Sequence, residues 1–145
     1  MALVSNKKAH RDYALLEKFE AGMELVGTEV KSLRSGNAKL EGARVVVRGN
    51  EAFLVGAHIA PYQPKNTDER YDPARTRRLL LNHKEIQNLL SAEGTKGLTI
   101  VPISVYNKGR TLKLEIAIAK GKKQYDKRED IKKRDTERRL KRKEY

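Results

Sequence analysis

Apolar and polar residues alternate most regularly near the end of the chain. Leu112, Leu114, Ile116 and Ile118 are spaced two apart within 111–119, which places them on one face of a strand. The apolar stretch 98–106 precedes it, and Asn107-Lys108-Gly109-Arg110 separates the two. The pattern therefore predicts a long antiparallel hairpin.

Shorter apolar–polar mixtures in the first half of the chain also have strand length. Segments 13–19 and 23–28 flank Glu20-Ala21-Gly22, which predicts strand, turn, strand. Segments 43–47 and 51–57 flank Gly49-Asn50, a pair suited to positive φ in a tight hairpin turn.

The stretch 61–78 contains three prolines and five basic residues, so we expect a long loop outside the core.

Helical spacing appears before the 43–57 hairpin and again after the 61–78 loop. Thr28 as N-cap and Gly36 as C-terminal stop predict a two-turn helix. Asn82, followed by Glu85 and ending near Gly94, predicts a second helix with one apolar face of Ile86, Leu89 and Leu90.

About six short strands, two to three short helices and no βαβ alternation predict a mainly β fold. An OB-like antiparallel β-barrel is the leading candidate for a small basic chain. We expect residues 1–119 to form this barrel with its N-terminal arm and residues 120–145 to form a basic C-terminal tail.

Charge supports that division. The chain has 32 Lys and Arg against 19 Asp and Glu, a formal charge of +13; such an excess indicates a polyanionic partner. Residues 120–145 alone contain thirteen basic and six acidic residues. With Ile131 and Leu140 as its only aliphatic residues, the tail is expected to be disordered alone. Acid-before-base pairs at i,i+4 favour a helix once the tail meets a partner.

Several functional classes are disfavoured. No apolar run has membrane-spanning length, the N-terminus lacks a signal-peptide pattern, and the sequence has no cysteine. We therefore expect a cytoplasmic protein without membrane contact. There is no phosphate-binding glycine motif or nucleophile elbow, and the three histidines are far apart. These observations predict no enzyme activity, no cofactor and no metal site.

Four segments combine the groups that bind RNA phosphates and bases, and each also has a simpler explanation. The arm contains Asn6, Lys7, Lys8, Arg11 and Tyr13, but it could be a solubilising terminus. Glu29, Lys31 and Arg34 on the first helix could be a solvated face. Three arginines before Leu79, Leu80 and Leu81 could reach a backbone while the leucines anchor them, or the leucines could simply be core. Segment 121–128 surrounds Tyr125 with cations, although charge runs are usually only solvated.

Taken together and in order, these strings closely resemble the SsrA-binding protein family over nearly the whole chain. The strings are Asn6-Lys-Lys-Ala9 with Asp12-Tyr13, Glu20-Ala-Gly22, Gly27-Thr-Glu-Val-Lys-Ser-Leu-Arg34, His58-Ile-Ala-Pro-Tyr62, Arg78-Leu-Leu-Leu81 and Gly121-Lys-Lys-Gln-Tyr-Asp-Lys-Arg128.

The resemblance implies an OB-like barrel that binds the tRNA-like domain of transfer-messenger RNA in bacteria and delivers it to stalled ribosomes for trans-translation. The barrel would mimic the anticodon half of a tRNA. The tail would enter the empty mRNA channel as a helix near the decoding centre and the 16S rRNA. Elongation factor Tu and alanyl-tRNA synthetase would be indirect partners through the RNA.

The resemblance also implies site residues. Asn6, Lys7, Tyr13, Glu29, Lys31 and the run Leu79, Leu80 and Leu81 would grip the D-loop region of the RNA. The ribosomal tail positions would be Gly121, Lys122, Lys123, Tyr125, Asp126, Lys127 and Arg128; some relatives have His where this chain has Tyr125. A permanent ribosomal structural protein and, more weakly, an RNA-processing enzyme remain as alternatives.

Overall fold

A computed structural model describes residues 2–63 and 70–122. Within these ranges there are nine strands: β1 (Ala2–Ser5), β2 (Tyr13–Met23), β3 (Ala38–Lys39), β4 (Arg44–Arg48), β5 (Glu51–Val55), β6 (His58–Ile59), β7 (Arg77–Leu80), β8 (Leu98–Lys108) and β9 (Thr111–Gly121). The three helices in the same ranges are α1 (Lys7–Asp12), α2 (Gly27–Arg34) and α3 (His83–Glu93).

Seven of the strands form one antiparallel sheet in the order β1-β8-β9-β2-β7-β5-β4, and β3 and β6 form a small second sheet. The large sheet curls so that β4 lies beside β8. The main apolar core fills the concave side, with Leu33 of α2 and Leu89 of α3 packed into it. The predicted mainly β, antiparallel fold with short helices is confirmed.

The long hairpin is also confirmed. β8 and β9 pair along their length, with Ile100 opposite Ile118, and the turn between them contains Gly109 at φ +63°. The alternating residues are buried, as expected. Ala117 and Ala119 on the opposite face are buried too, because α1 covers that face through Ala9.

The predicted turn at Glu20-Ala21-Gly22 is wrong. These residues continue β2, where Glu20 lies opposite Glu115 of β9 and Gly22 opposite Lys113. Gly22 is needed for close packing rather than for turning, since a Cβ there would lie 3.2 Å from the Cβ of Leu80. A tertiary ladder with β9 overrides the local turn preference.

The first predicted helix exists, with a different start. α2 begins at Gly27, so Thr28 lies inside it, and Val26 occupies the N-cap position. The Glu29 carboxylate accepts a hydrogen bond of 3.0 Å from the Val26 amide. The helix ends at Arg34, and Gly36 follows at φ +76°, the left-handed conformation expected of its stop.

Two segments form regular structure that the sequence patterns do not predict. The N-terminal arm forms β1 and α1. The prediction that 61–78 is a loop outside the core is wrong at the C-terminal end of the segment, because Arg77 begins β7 and is completely buried.

The α3 prediction is confirmed, since Asn82 caps the helix and Gly94 ends it. Ile86 and Leu89 are buried, but Leu90 is 43% exposed and does not share their face. No helix in the described ranges has the length and apolarity to cross a membrane.

Candidate nucleic-acid interface

Asn6 fixes the helix that carries the N-terminal cations. Its Oδ1 accepts a hydrogen bond from the Ala9 amide at 3.2 Å, capping α1, and its Nδ2 donates to the Pro102 carbonyl at 2.9 Å. The side chain is only 3% exposed. Asn6 therefore attaches α1 to β8, and its buried side chain leaves little surface for contact with a ligand.

Around this attachment, α1 presents cations to solvent. Lys7, Lys8 and Arg11 are exposed, and Arg11 Nε donates to Asp12 Oδ1 at 3.2 Å. Tyr13 follows the helix half-buried, with its ring against the small apolar cluster beneath α1. These four side chains form one basic surface with an aromatic ring at its edge, which we call the α1 patch.

The start of the tail lies beside the α1 patch. Gly121 pairs with Tyr13 as the last residue of β9, and the Lys122 amide donates to the Asp12 carbonyl at 2.9 Å. The β9 ladder thus runs two residues past the predicted end of the barrel at 119. The remaining predicted tail positions, Lys123, Tyr125, Asp126, Lys127 and Arg128, lie outside the described residues.

Glu29 stands at the centre of a buried ionic network instead of on a solvated face. It is 1% exposed. Its Oε2 accepts from Arg77 Nε at 3.0 Å and Nη2 at 2.6 Å, and from the Tyr71 hydroxyl at 3.2 Å. Its Oε1 accepts from Arg75 Nη2 and the Val26 amide. Neither carboxylate oxygen is available to RNA.

Arg77 completes this network from β7. Its Nη1 donates to the Ala57 carbonyl at 2.9 Å and its Nη2 to the Pro73 carbonyl at 2.9 Å. Burial raises the pKa of Glu29, but hydrogen bonds from Arg75, the Val26 amide and Arg77 outweigh it, so the net pKa is lowered. The charged Glu29 carboxylate thus links α2 to the 71–77 segment and to β7.

The outer side of α2 carries the second exposed basic group. Lys31 lies over the Tyr62 ring, with 5.6 Å between Nζ and the ring centroid, a cation–π distance. Arg34 Nη2 donates to the Arg110 carbonyl at 2.8 Å, so α2 touches the β8–β9 turn. We call Lys31, Arg34, Tyr62 and Arg110 the α2 patch.

The leucine run is divided by strand alternation. Leu79 is 2% exposed and belongs to the core, Leu80 is 49% exposed, and Leu81 is partly buried against the core. The arginines beside them are paired: Arg75 and Arg77 bind Glu29, and Arg78 forms exposed ion pairs at 3.3 Å with Glu24 and with Glu51. Arg75, Arg77 and Arg78 are therefore each engaged by an acidic side chain, and none of the three is left without an ion-pair partner to bind an RNA backbone.

The predicted RNA-binding residues thus fall into two separate patches. The α1 patch lies against β8 near Val101, and the α2 patch touches the turn just past Lys108. At a strand rise of about 3.3 Å per residue, Val101 and Lys108 are roughly 23 Å apart. A ligand that contacts both patches must therefore extend over more than about 20 Å, which is larger than a small molecule.

The ionic partners of Glu29 were missed in the sequence, although one signal for them is visible. Arg77 and Leu79 are two apart, so strand alternation places Arg77 on the buried side with Leu79. Tyr71 carries no comparable local signal. In the described ranges, no three His, Cys, Asp or Glu side chains group as a metal site.

Comparison with known proteins identifies the family of the chain. The sequence model of the SmpB protein family matches residues 3–144. The chain belongs to the SmpB family. It is similar to the SsrA-binding protein of Azoarcus sp. (strain BH72), with 51% identity over 95% of this chain and 93% of that protein. It is also similar to the SsrA-binding protein of Geotalea uraniireducens (strain Rf4), with 52% identity over 94% of this chain and 89% of that protein.

The fold agrees with this family membership. A solved chain described as "tmRNA-SmpB: a journey to the center of the bacterial ribosome" is similar, with a TM-score of 0.70 and 39% identity. The match covers 88% of this chain and 92% of the solved one. The resemblance to the SsrA-binding protein family that the sequence strings predict is confirmed.

Proposed function

We propose that this protein binds the tRNA-like domain of transfer-messenger RNA and delivers it to stalled bacterial ribosomes for trans-translation. The proposal is supported by SmpB family membership and by relatives that are themselves SsrA-binding proteins. It assigns the protein no catalytic step. Its partners are transfer-messenger RNA and the ribosome, and, through the RNA, elongation factor Tu and alanyl-tRNA synthetase. It acts in the bacterial cytoplasm.

The observation that carries the proposal is the separation of the two patches along the hairpin, with the tail leaving beside one of them. Lys31 and Arg34 give one end of the body its cations, and Lys7, Lys8 and Arg11 give the other end its own. A folded RNA domain can span both, whereas a small molecule cannot. Phosphate contacts of this kind would supply most of the affinity and make it depend on salt.

Asn6 and Glu29 have an indirect part in this binding. Asn6 orients α1 through Pro102, and Glu29 orients α2 through Arg75 and Arg77. We propose that both are positioning residues whose loss weakens RNA binding by displacing the cations of the two patches. Leu80, the exposed leucine of β7, offers an apolar contact, whereas Leu79 supports the strand from within.

The body is proposed to stand in for the anticodon half of a tRNA. The tail is proposed to enter the vacant mRNA channel and fold there as a helix near the decoding centre. Lys123, Tyr125, Asp126, Lys127 and Arg128 would contact 16S rRNA, with Tyr125 able to stack on a base. A message in the channel would exclude the tail, so only stalled ribosomes would accept the complex.

A truncation separates these roles. Because Gly121 and Lys122 are joined to Tyr13 and Asp12, the chain should be cut after Lys122. We expect the truncated protein to bind a tRNA-like-domain transcript within about threefold of the full chain, a change well under 1.4 kcal/mol. Peptide tagging in a reconstituted system should be lost.

The matched control is the full chain with its tail residues 123–145 in scrambled order, which keeps the charge. It should bind the transcript normally and fail to tag. A loss of transcript affinity of tenfold or more on truncation would refute the division of labour. Equal occupancy of stalled and actively translating ribosomes would instead favour a permanent ribosomal protein.

A further inference from the structure

A cleft of about 400 Å³ opens between α1, the start of β4 and the start of β8. Its volume is in the usual range for clefts that hold small ligands, about 300 to 1,000 Å³. Segments far apart in sequence build it, and the residues that line it include Lys8, Ala9, Tyr13, Gly42, Arg44 and Thr99. It adjoins the point where the tail leaves the body, since Tyr13 pairs with Gly121.

Three of the polar side chains that line this cleft are uncommitted. Within the described ranges, the Lys8 ammonium, the Arg44 guanidinium and the Tyr13 hydroxyl have no hydrogen-bond or ion-pair partner. By contrast, Arg48 is paired with Glu93 and Arg78 with Glu24. Asp12, the acid at the rim, accepts a hydrogen bond from Arg11, which offsets its charge.

We propose that this cleft binds one unpaired nucleotide of RNA, with the base against the Tyr13 ring and its phosphate between Lys8 and Arg44. Aromatic rings and cations arranged in this way hold single-stranded nucleotides without reading sequence strongly. The Thr99 hydroxyl lines the same cleft and can bond a ribose 2′-hydroxyl. The proposal rests on the proposed function and adds Arg44 to the RNA-binding residues.

The nucleotide can come from transfer-messenger RNA or from ribosomal RNA, and the chemistry is the same for both. Because Lys8 and Tyr13 belong to the α1 patch, the proposed function favours transfer-messenger RNA, whereas the position beside the tail leaves ribosomal RNA as the other source. Binding must therefore be measured for each RNA separately.

The test compares Arg44→Gln with Arg48→Gln in the full chain. Both residues are exposed on β4 and both variants lose one positive charge, but Arg48 lies outside the cleft and is paired with Glu93. Affinity is measured over a salt series for three ligands: a tRNA-like-domain transcript, purified small ribosomal subunits and a twelve-nucleotide oligouridylate. Thermal melting of both variants checks that each is folded.

We expect Arg44→Gln to weaken binding about tenfold to one of the two structured ligands. The log–log salt slope should fall by about one, the loss of one phosphate contact. Arg48→Gln should change neither. Tyr13→Leu should weaken the same ligand about tenfold through lost stacking, whereas Tyr13→Phe should keep its affinity.

Equal affinities and slopes for Arg44→Gln and Arg48→Gln on all three ligands would overturn the proposal. Failure of the proposed function has a different signature, because the unaltered protein would then show no preference for the transcript over oligouridylate. In that case the comparison of the two arginine variants on oligouridylate would still decide whether the cleft holds a nucleotide.

Discussion

Replacing Glu29 with Gln keeps the shape of the side chain and removes the charge that Arg77 faces. Arg77 is fully buried and its guanidinium cannot lose its proton, so it would remain in the interior without a counter-charge. Removing one partner of a buried ion pair costs about 3 to 5 kcal/mol. Arg75 is a smaller concern, because its side chain is 34% exposed and can turn toward water.

This cost converts into a melting temperature. Unfolding entropy is about 2.1 cal/mol/K per residue, which for about 115 described residues gives roughly 0.24 kcal/mol/K. We therefore expect Glu29→Gln to lower the melting temperature by about 12 to 20 °C at neutral pH. The matched control is Glu24→Gln, which breaks an exposed pair with Arg78 and should cost less than about 1 kcal/mol.

The double variant Glu29→Gln/Arg77→Met tests the mechanism. Removing both charges should cost less than the sum of the two single changes, because the buried unpaired charge is gone. Calorimetry of the four proteins measures this coupling. A melting temperature within about 2 °C of the original for Glu29→Gln, or strict additivity in the double variant, would refute the reasoning.

The pH dependence has a definite sign. The folded-state pKa of Glu29 is lowered, so its contribution to stability is present above the unfolded value of about 4.3 and is lost as pH falls through the folded pKa. The free energy of unfolding of the original protein should therefore exceed that of Glu29→Gln by its full amount at pH 7, and this difference should shrink as the pH falls through the folded pKa of Glu29. A difference that widens as pH falls would contradict the assignment.

Three further changes test other parts of the structure. Asn6→Ala should destabilise the fold by about 1 to 3 kcal/mol by removing a helix cap and a buried hydrogen bond, measured by urea unfolding, and an unchanged midpoint would contradict this. Gly22→Ala should cost about 1 kcal/mol or more through crowding against Leu80, and a more stable variant would contradict it. Burial and the hydrogen bond to Glu20 raise the pKa of Tyr106 to about 12, so the contribution of the neutral hydroxyl to stability is present below about pH 10 and is lost as the pH rises from there through the folded pKa. Glu20→Gln should lower the pKa of Tyr106 in a spectrophotometric titration. An unchanged pKa would contradict the hydrogen bond between the two side chains.

Sequence reasoning succeeded where local chemistry and tertiary packing agree. The alternation of Leu112 and Leu114 gave β9, and Asn82 with Glu85 gave the start of α3. It failed where a partner distant in sequence decides the outcome. Glu20 to Gly22 remain extended because β9 pairs with them. The residues around this segment do not predict that pairing, since β9 is distant in sequence.

The candidate site shows the same limit. The cations of α1 and α2 were identified from composition, and they are exposed as expected. The sequence predicts an exposed Glu29, because a charged residue in the first turn of a helix normally interacts with the helix dipole at the surface. Its burial depends on Arg77, which is distant in sequence, and the cleft depends on Arg44 folding back beside Tyr13.

The central claim is that this body selects transfer-messenger RNA through its tRNA-like domain. The most direct measurement is to sequence the RNA that copurifies with the full chain from cells, against a Lys31→Glu/Arg34→Glu variant that reverses the charge of the α2 patch. The account predicts that transfer-messenger RNA dominates the first sample and is strongly depleted in the second. Copurification of ribosomal RNA alone, in equal amounts with both proteins, would contradict it.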